Sequence, residues 1–212
     1  MAPPLPARFI TLEGGEGAGK TTLARRLADA LASVGLPVLR TREPGGSPGA
    51  EALRGLMLHG RVAWDPVAEA MLMFAARREH VARTIRPALD AGIWVICDRF
   101  ADSTLAYQCY GHGLDAAVWH KLADVALEGF APDATLVLDV PLETGMARAL
   151  ARALPDRFER LGHEFHGRVR DAFRAIAADN PRRCVLLDAG QTPEAVFAGA
   201  TAALRDRLGI TL

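Results

Sequence analysis

The stretch that decides the fold is EGGEGAGKTT, residues 13–22. It continues RFITLE (8–13), whose polar–apolar alternation and β-branched residues predict a strand. It leads into 19–34, where Leu23, Leu27, Ala30, Leu31 and Val34 recur at helical spacing until Gly35 and Pro37 stop the helix. Gly14-x-x-x-x-Gly19-Lys20-Thr21 thus fits the phosphate-loop pattern in the strand–loop–helix setting that the pattern requires. Gly14, Gly15, Gly17 and Gly19, with Glu16 and Ala18 between them, let backbone N–H groups turn inward around phosphate oxygens. The helix N-terminus at Thr21-Thr22 adds a positive partial charge. Lys20 is expected to reach the β- and γ-phosphates and Thr21 to ligate Mg²⁺. Of 25 basic residues only Lys20 and Lys121 are lysines, so the loop lysine is not there for charge alone.

Beyond the loop, PVLRT (37–41) reads as a second strand and REPGGSPG (42–49) as a turn-rich loop. Residues 50–60 predict a short helix, and Pro66 opens a longer one to about Ala91. IWVIC (93–97) is a continuous apolar run, as in a strand covered on both faces, and Asp98 ends it. Helical patterns occupy 102–110 and 115–128. TLVLDV (135–140) is the fourth strand, a helix starts near 143, and an arginine-rich stretch precedes a helix over 158–179. RCVLLD (183–188) is the fifth strand and 193–208 the last helix. This alternation predicts an α/β fold, a doubly wound five-stranded parallel sheet with helices on both faces, in a single domain spanning the 212 residues. Ligands of such sheets bind at the carboxyl ends of strands, so Glu13 to Thr21, Arg42-Glu43 and Asp98-Arg99 are expected to face one crevice.

Composition narrows the partners. Lysine plus arginine equals aspartate plus glutamate, 25 against 25, so no global basic field is available to hold nucleic acid. No run approaches the roughly 18 apolar residues of a membrane span. MAPPLPAR at the start lacks the pattern of a secretory signal. The three cysteines, Cys97, Cys109 and Cys184, have no metal-ligand or disulfide spacing and are expected to be buried thiols in a reducing cytoplasm. A GTPase needs Asn/Thr-Lys-x-Asp to read guanine, and His120-Lys121-Leu122-Ala123 fails that pattern, which leaves ATP as the expected triphosphate.

EGGEGAGKTT, TREPGGS (41–47), CDRFADSTLAYQ (97–108), LDVPLETGMARA (138–149) and DRFE (156–159) occur in that order. Together they resemble bacterial thymidylate kinases, of the nucleoside-monophosphate kinase group, over positions 8 to 205. The resemblance implies ATP-dependent phosphorylation of dTMP to dTDP, with Mg²⁺, in a cytoplasmic homodimer. It places Arg99 and Arg42, with Pro44, at the acceptor phosphate, where a guanidinium fork suits a phosphate. Asp98 is implied to help hold Mg²⁺, and Glu16 to face the acceptor and take a hydrogen bond from its 3′-hydroxyl. Ser103, Thr104, Tyr107 and Gln108 line one side of the helix over 102–110 as substrate-binding residues; the resemblance implies that Ser103 and Thr104 lie near the base and that Tyr107 crowds the ribose 2′ position.

The same resemblance calls for an aromatic stacked on the base and an arginine four residues later. Two pairs compete, Met73 with Arg77 and Phe74 with Arg78. It also implies a lid near 150–160 that closes over ATP and supplies the catalytic arginine, since no arginine follows Glu16. Arg152 is the first choice, then Arg148, which is also placed near ATP, and Arg157. The competing readings are another P-loop nucleotide kinase and, from a different class, a P-loop ATPase switch that needs no acceptor.

Overall fold

The computed structural model describes residues 6–59, 62–151, 158 and 161–212. Its strands are β1 (Phe9–Gly14), β2 (Val38–Arg42), β3 (Trp94–Asp98), β4 (Ala134–Asp139) and β5 (Cys184–Asp188). All neighbours pair in parallel, in the order β2-β3-β1-β4-β5. Each strand lies within a residue or so of its expected span.

The two-residue period of the strands divides their side chains between two cores. Ile10, Leu12, Trp94, Ile96, Leu136 and Leu138 face one side. They bury Leu23, Leu27 and Leu31 of α1 (Lys20–Ser33) and Ala200 and Leu204 of α9 (Pro193–Leu208). Phe9, Val95 and Cys97 point to the other side, against Phe74, Val81 and Ile85. There lie α3 (Pro66–His80) and α6 (Ala116–Leu127), while Val137 meets α8 (His163–Asp179) through Val169, Phe173 and Ile176. Burying a leucine or phenylalanine side chain is worth about 1.5–3 kcal/mol, so both layers contribute strongly. The three cysteines are buried and free. Among the described residues no helix is long and apolar enough to cross a membrane.

The long helix expected over 66–91 is present with an irregularity. Asp65 caps α3 by accepting from the N–H groups of Val67 and Ala68, with Pro66 next to it. The helix then widens into a π-helical segment, Val81–Ile85, before α4 (Arg86–Asp90). A second π segment, Leu105–Gly111, extends α5 (Ala101–Thr104). Such segments often mark functional sites. The helix expected from 158 starts only at His163: Phe158 and Leu161 form a turn, and Gly162 takes the N-cap position. Two further helices, α2 (Pro48–His59) and α7 (Leu142–Leu150), match expectation. Most of the expected lid, including Arg152 and Arg157, lies outside the described residues.

Two backbone bonds gather the strand ends around β1. The N–H of Glu43 donates to the carbonyl of Asp98, and that of Arg99 to the carbonyl of Leu12. The loops after β1, β2 and β3 therefore open into one space.

Candidate active site

That space is a cleft of about 230 Å³. Its floor is the phosphate loop. Gly14, Gly17 and Gly19 have φ of 135°, 68° and 93°, a region that favours glycine. Gly17 is further constrained, because a Cβ there would lie 2.0 Å from the carbonyl oxygen of Gly145. Lys20 is buried and donates from Nζ to the carbonyls of Gly14 (3.0 Å) and Gly15 (2.8 Å). Burial lowers its pKa to about 8; the Arg99 cation acts in the same direction, and Glu16, Asp98 and Glu13 oppose it.

At the start of α1 the Thr21 hydroxyl donates to Asp98 Oδ2 at 2.7 Å. No cluster of three or more His, Cys, Asp or Glu residues suited to a metal occurs among the described residues. Mg²⁺ needs none, since it takes one or two protein oxygens and fills its octahedron with phosphate and water. A hydroxyl and a carboxylate meeting beside a phosphate loop fit that ion.

Across the cleft Arg99 leaves β3 with φ 72°, an uncommon conformation for a non-glycine residue. Its Nη1 donates to the Gly14 carbonyl and Ser103 Oγ, and its Nη2 to Glu16 Oε1 and Tyr107 Oη. The Tyr107 hydroxyl in turn donates to Glu16 Oε1 at 2.7 Å. Burial alone would push the Glu16 carboxyl up, but Arg99, Lys20 and the Tyr107 hydroxyl outweigh it and hold it at about 2. Beneath Arg99, the fully buried Glu13 accepts from the N–H of Phe100 (2.7 Å), the N–H of Ser103 (3.3 Å) and Ser103 Oγ (2.6 Å). Burial, reinforced by Asp102, raises its pKa. Glu13 fastens the turn that follows Arg99.

Of the two competing pairs, the structure brings Met73 and Arg77 to the cleft. Arg77 is 3% exposed. It donates from Nε to Glu43 Oε2 at 2.6 Å and from Nη2 to the Phe100 carbonyl and Thr104 Oγ1, both at 3.0 Å. Its Nη1 is buried with no partner among the described residues. Phe74 and Arg78 stand outside the cleft, which corrects their expected place. Phe74 is core, edge-on to Trp119, with the Arg77 guanidinium over its ring. Arg78 turns to the Ala126 carbonyl and Glu128.

Arg42, Pro44, Ser103, Thr104, Tyr107 and Gln108 line the cleft as expected. Arg42 is paired with Glu51, and Gln108 donates to the buried Glu69. Thr22 is exposed on α1 outside the cleft, and Arg148 donates to the Ala189 carbonyl, also outside it. Glu43 faces the cleft as its place after β2 predicts, but sequence reasoning gave no role to four other lining residues: Phe100 and Phe158 stood in the quoted CDRFADSTLAYQ and DRFE stretches, while Arg54 and Leu58 on α2 carried no signal.

A phosphate loop facing a second site built around arginines and a Thr–Asp pair defines a P-loop kinase, which transfers a phosphoryl group from a triphosphate to an acceptor. A sequence model described as thymidylate kinase matches residues 12–199. The chain is 50% identical over 203 residues to the thymidylate kinase of Caulobacter vibrioides, covering 95% of this chain and 98% of that one. It is 50% identical over 207 residues to that of Rhizorhabdus wittichii, covering 96% and 100%. The solved thymidylate kinase of Ehrlichia chaffeensis superposes with a TM-score of 0.79 at 34% identity, over 95% of this chain and 100% of that one. The chain belongs to the thymidylate kinase family.

Proposed function

We propose that the cleft phosphorylates dTMP to dTDP with ATP, by positioning and charge neutralisation rather than through a covalent enzyme intermediate. The reaction is that of the family to which the chain belongs. One observation carries the acceptor reading: Arg77 lines the cleft with a buried Nη1 that has no partner among the described residues. An unsatisfied buried guanidinium nitrogen costs stability unless a ligand completes it, and a pyrimidine carbonyl is a fitting acceptor.

The triphosphate lies along Gly14 to Thr22. Lys20 exchanges the carbonyls of Gly14 and Gly15 for phosphate oxygens, and Arg148 stands on the donor's side. Thr21 and Asp98 hold Mg²⁺, which neutralises phosphate charge when bound. Arg99 and Arg42 clamp the acceptor phosphate beside Pro44. Glu16, ionised, accepts the sugar 3′-hydroxyl, and Tyr107 excludes a 2′-hydroxyl. Met73, Ser103, Thr104 and Gln108 enclose the base. Arg152 comes from the lid to the transferring phosphoryl group, where such a cation is worth about 10³–10⁵ in rate in related chemistry.

We further propose one cytoplasmic domain acting as a homodimer, with no nucleic-acid partner. Met71 and Ala75 on α3 and Ala82 in the π-helical segment that follows are exposed, and Val125 on α6 is 78% exposed, which supports that pairing. The test is ADP release with ATP and Mg²⁺ against dTMP, dUMP, UMP, thymidine and no acceptor. Turnover that depends on dTMP, with little for UMP or thymidine, is the expected result. Release independent of any acceptor would make the chain an ATPase and remove the acceptor roles of Arg99 and Glu16.

A further inference from the structure

Glu43 joins the two halves of the acceptor site. It belongs to the same turn as Arg42 and Pro44, and its Oε2 accepts Arg77 Nε at 2.6 Å. Its other oxygen, Oε1, lies 3.0 Å from Nδ1 of His80. The His80 ring is fully buried, and its Nε2 lies 2.8 Å from Thr41 Oγ1. Arg77 and Glu43 already balance in charge. A neutral imidazole that donates from Nδ1 to Glu43 and accepts the Thr41 hydroxyl at Nε2 completes both bonds.

The terminal torsion of a glutamate is broad and two-fold, so one bond to Arg77 does not fix the plane of the carboxylate. The second bond, from His80, does. The turn also closes onto the imidazole. Gly46 has φ 86°, and a Cβ there would lie 2.3 Å from His80 Nε2 and 2.5 Å from Thr41 Oγ1. Thr84, one helical turn after His80 and inside the π segment, donates to the Gly46 carbonyl at 2.8 Å. The π segment thus adjoins His80 and holds Thr84 to the turn that carries Glu43.

We propose that His80 is a positioning residue for the acceptor nucleotide: through Glu43 it fixes the Arg77 guanidinium and locks it to the turn beside the acceptor phosphate. The proposal rests on reading Arg77 as an acceptor contact. It is tested by steady-state kinetics and thermal melting of the full chain carrying His80→Leu, His80→Asn or Arg77→Leu. Leucine keeps bulk without a donor, whereas the asparagine amide nitrogen takes the place of Nδ1 and still donates to Glu43. His80→Leu is expected to raise KM for dTMP about tenfold, as befits one lost buried hydrogen bond, with KM for ATP within about twofold. His80→Asn is expected to bring KM for dTMP back to within about threefold of the parent.

An unchanged KM for dTMP in His80→Leu overturns the proposal. So does an equal rise for both substrates with a lowered melting temperature, or a failure of asparagine to rescue. If Arg77→Leu leaves KM for dTMP unchanged, the acceptor reading falls and His80 with it. If Arg77→Leu acts and His80→Leu does not, the proposal falls alone. Should His80→Leu fail to fold, Thr41→Val removes only the hydroxyl at Nε2. It is expected to raise KM for dTMP about threefold with KM for ATP unchanged, and no rise refutes the positioning role.

Discussion

Glu16→Gln removes one charge from the centre of the cleft while keeping the side chain's shape. Glu16 Oε1 accepts from Arg99 Nη2 and Tyr107 Oη, and its carboxyl is held at about 2 against an ordinary 4.5. That separation is worth about 3 kcal/mol of folding stability at about 1.36 kcal/mol per decade. The sign follows from the depressed value. The contribution is complete above pH 4.5 and is lost as pH falls from 4.5 towards 2. Glu16→Gln is therefore expected to be about 3 kcal/mol less stable at pH 7 and only about 2 kcal/mol less stable at pH 3.5. Urea unfolding of both proteins at pH 7, 5 and 3.5 reads this, because other acid-titrating groups cancel in the difference. Burial acts in the opposite sense, and removing a buried charge is sometimes neutral or stabilising. Equal stability at pH 7, or a gap that does not narrow in acid, would refute the claim that Arg99, Lys20 and Tyr107 outweigh that burial. With Arg99 as the proposed acceptor clamp, Glu16 and the incoming phosphate would compete for one donor.

Other outcomes follow from the same geometry. Lys20 loses its proton near pH 8 in the ligand-free cleft, so kcat/KM for ATP is expected to fall as pH rises through about 8; a flat profile to pH 9.5 would contradict this. Gly17→Ala forces a Cβ to within 2.0 Å of the Gly145 carbonyl at a φ of 68°, and a melting point lower by about 10 °C is expected. Gly15→Ala, with nothing within 4 Å of the new carbon, should melt within about 2 °C of the parent, and calorimetry compares the two. Arg152→Ala is expected to lower turnover by about 10³ while changing dTMP affinity little, measured by kcat alongside equilibrium binding.

How much of the site could be read in advance depends on what constrains each residue. The phosphate loop was legible because its backbone conformation demands glycine and its chemistry demands Lys20 and Thr21, all within one local stretch. The place of Asp98-Arg99 at the cleft was legible because the pair ends an apolar strand, and ligands of such sheets bind at the carboxyl ends of strands. Arg77 and Arg78 could not be separated, because Met73 and Phe74 are both buried and one helical period accommodates either pair. The choice is made by distant partners. Glu43, 34 residues earlier, draws Arg77 inward, and Glu128, 50 residues later, draws Arg78 out. Arg54 and Leu58 sit on a helix patterned like any other, and only the folded chain brings them to the cleft. Glu13 reads as one more polar residue facing the crevice, and nothing local marks it for burial, since charges are seldom buried. Its full burial follows from the N–H groups of Phe100 and Ser103, which need an acceptor where the chain turns after Arg99. The π segments leave little trace in a 3.6-residue pattern, because one wider turn shifts it by a single position. Residues that meet the ligand carry the ligand's chemistry and so show in the sequence. Residues that hold them, His80 and Glu13 among them, are constrained only by what they touch, and that becomes legible when the strands have brought the loops together.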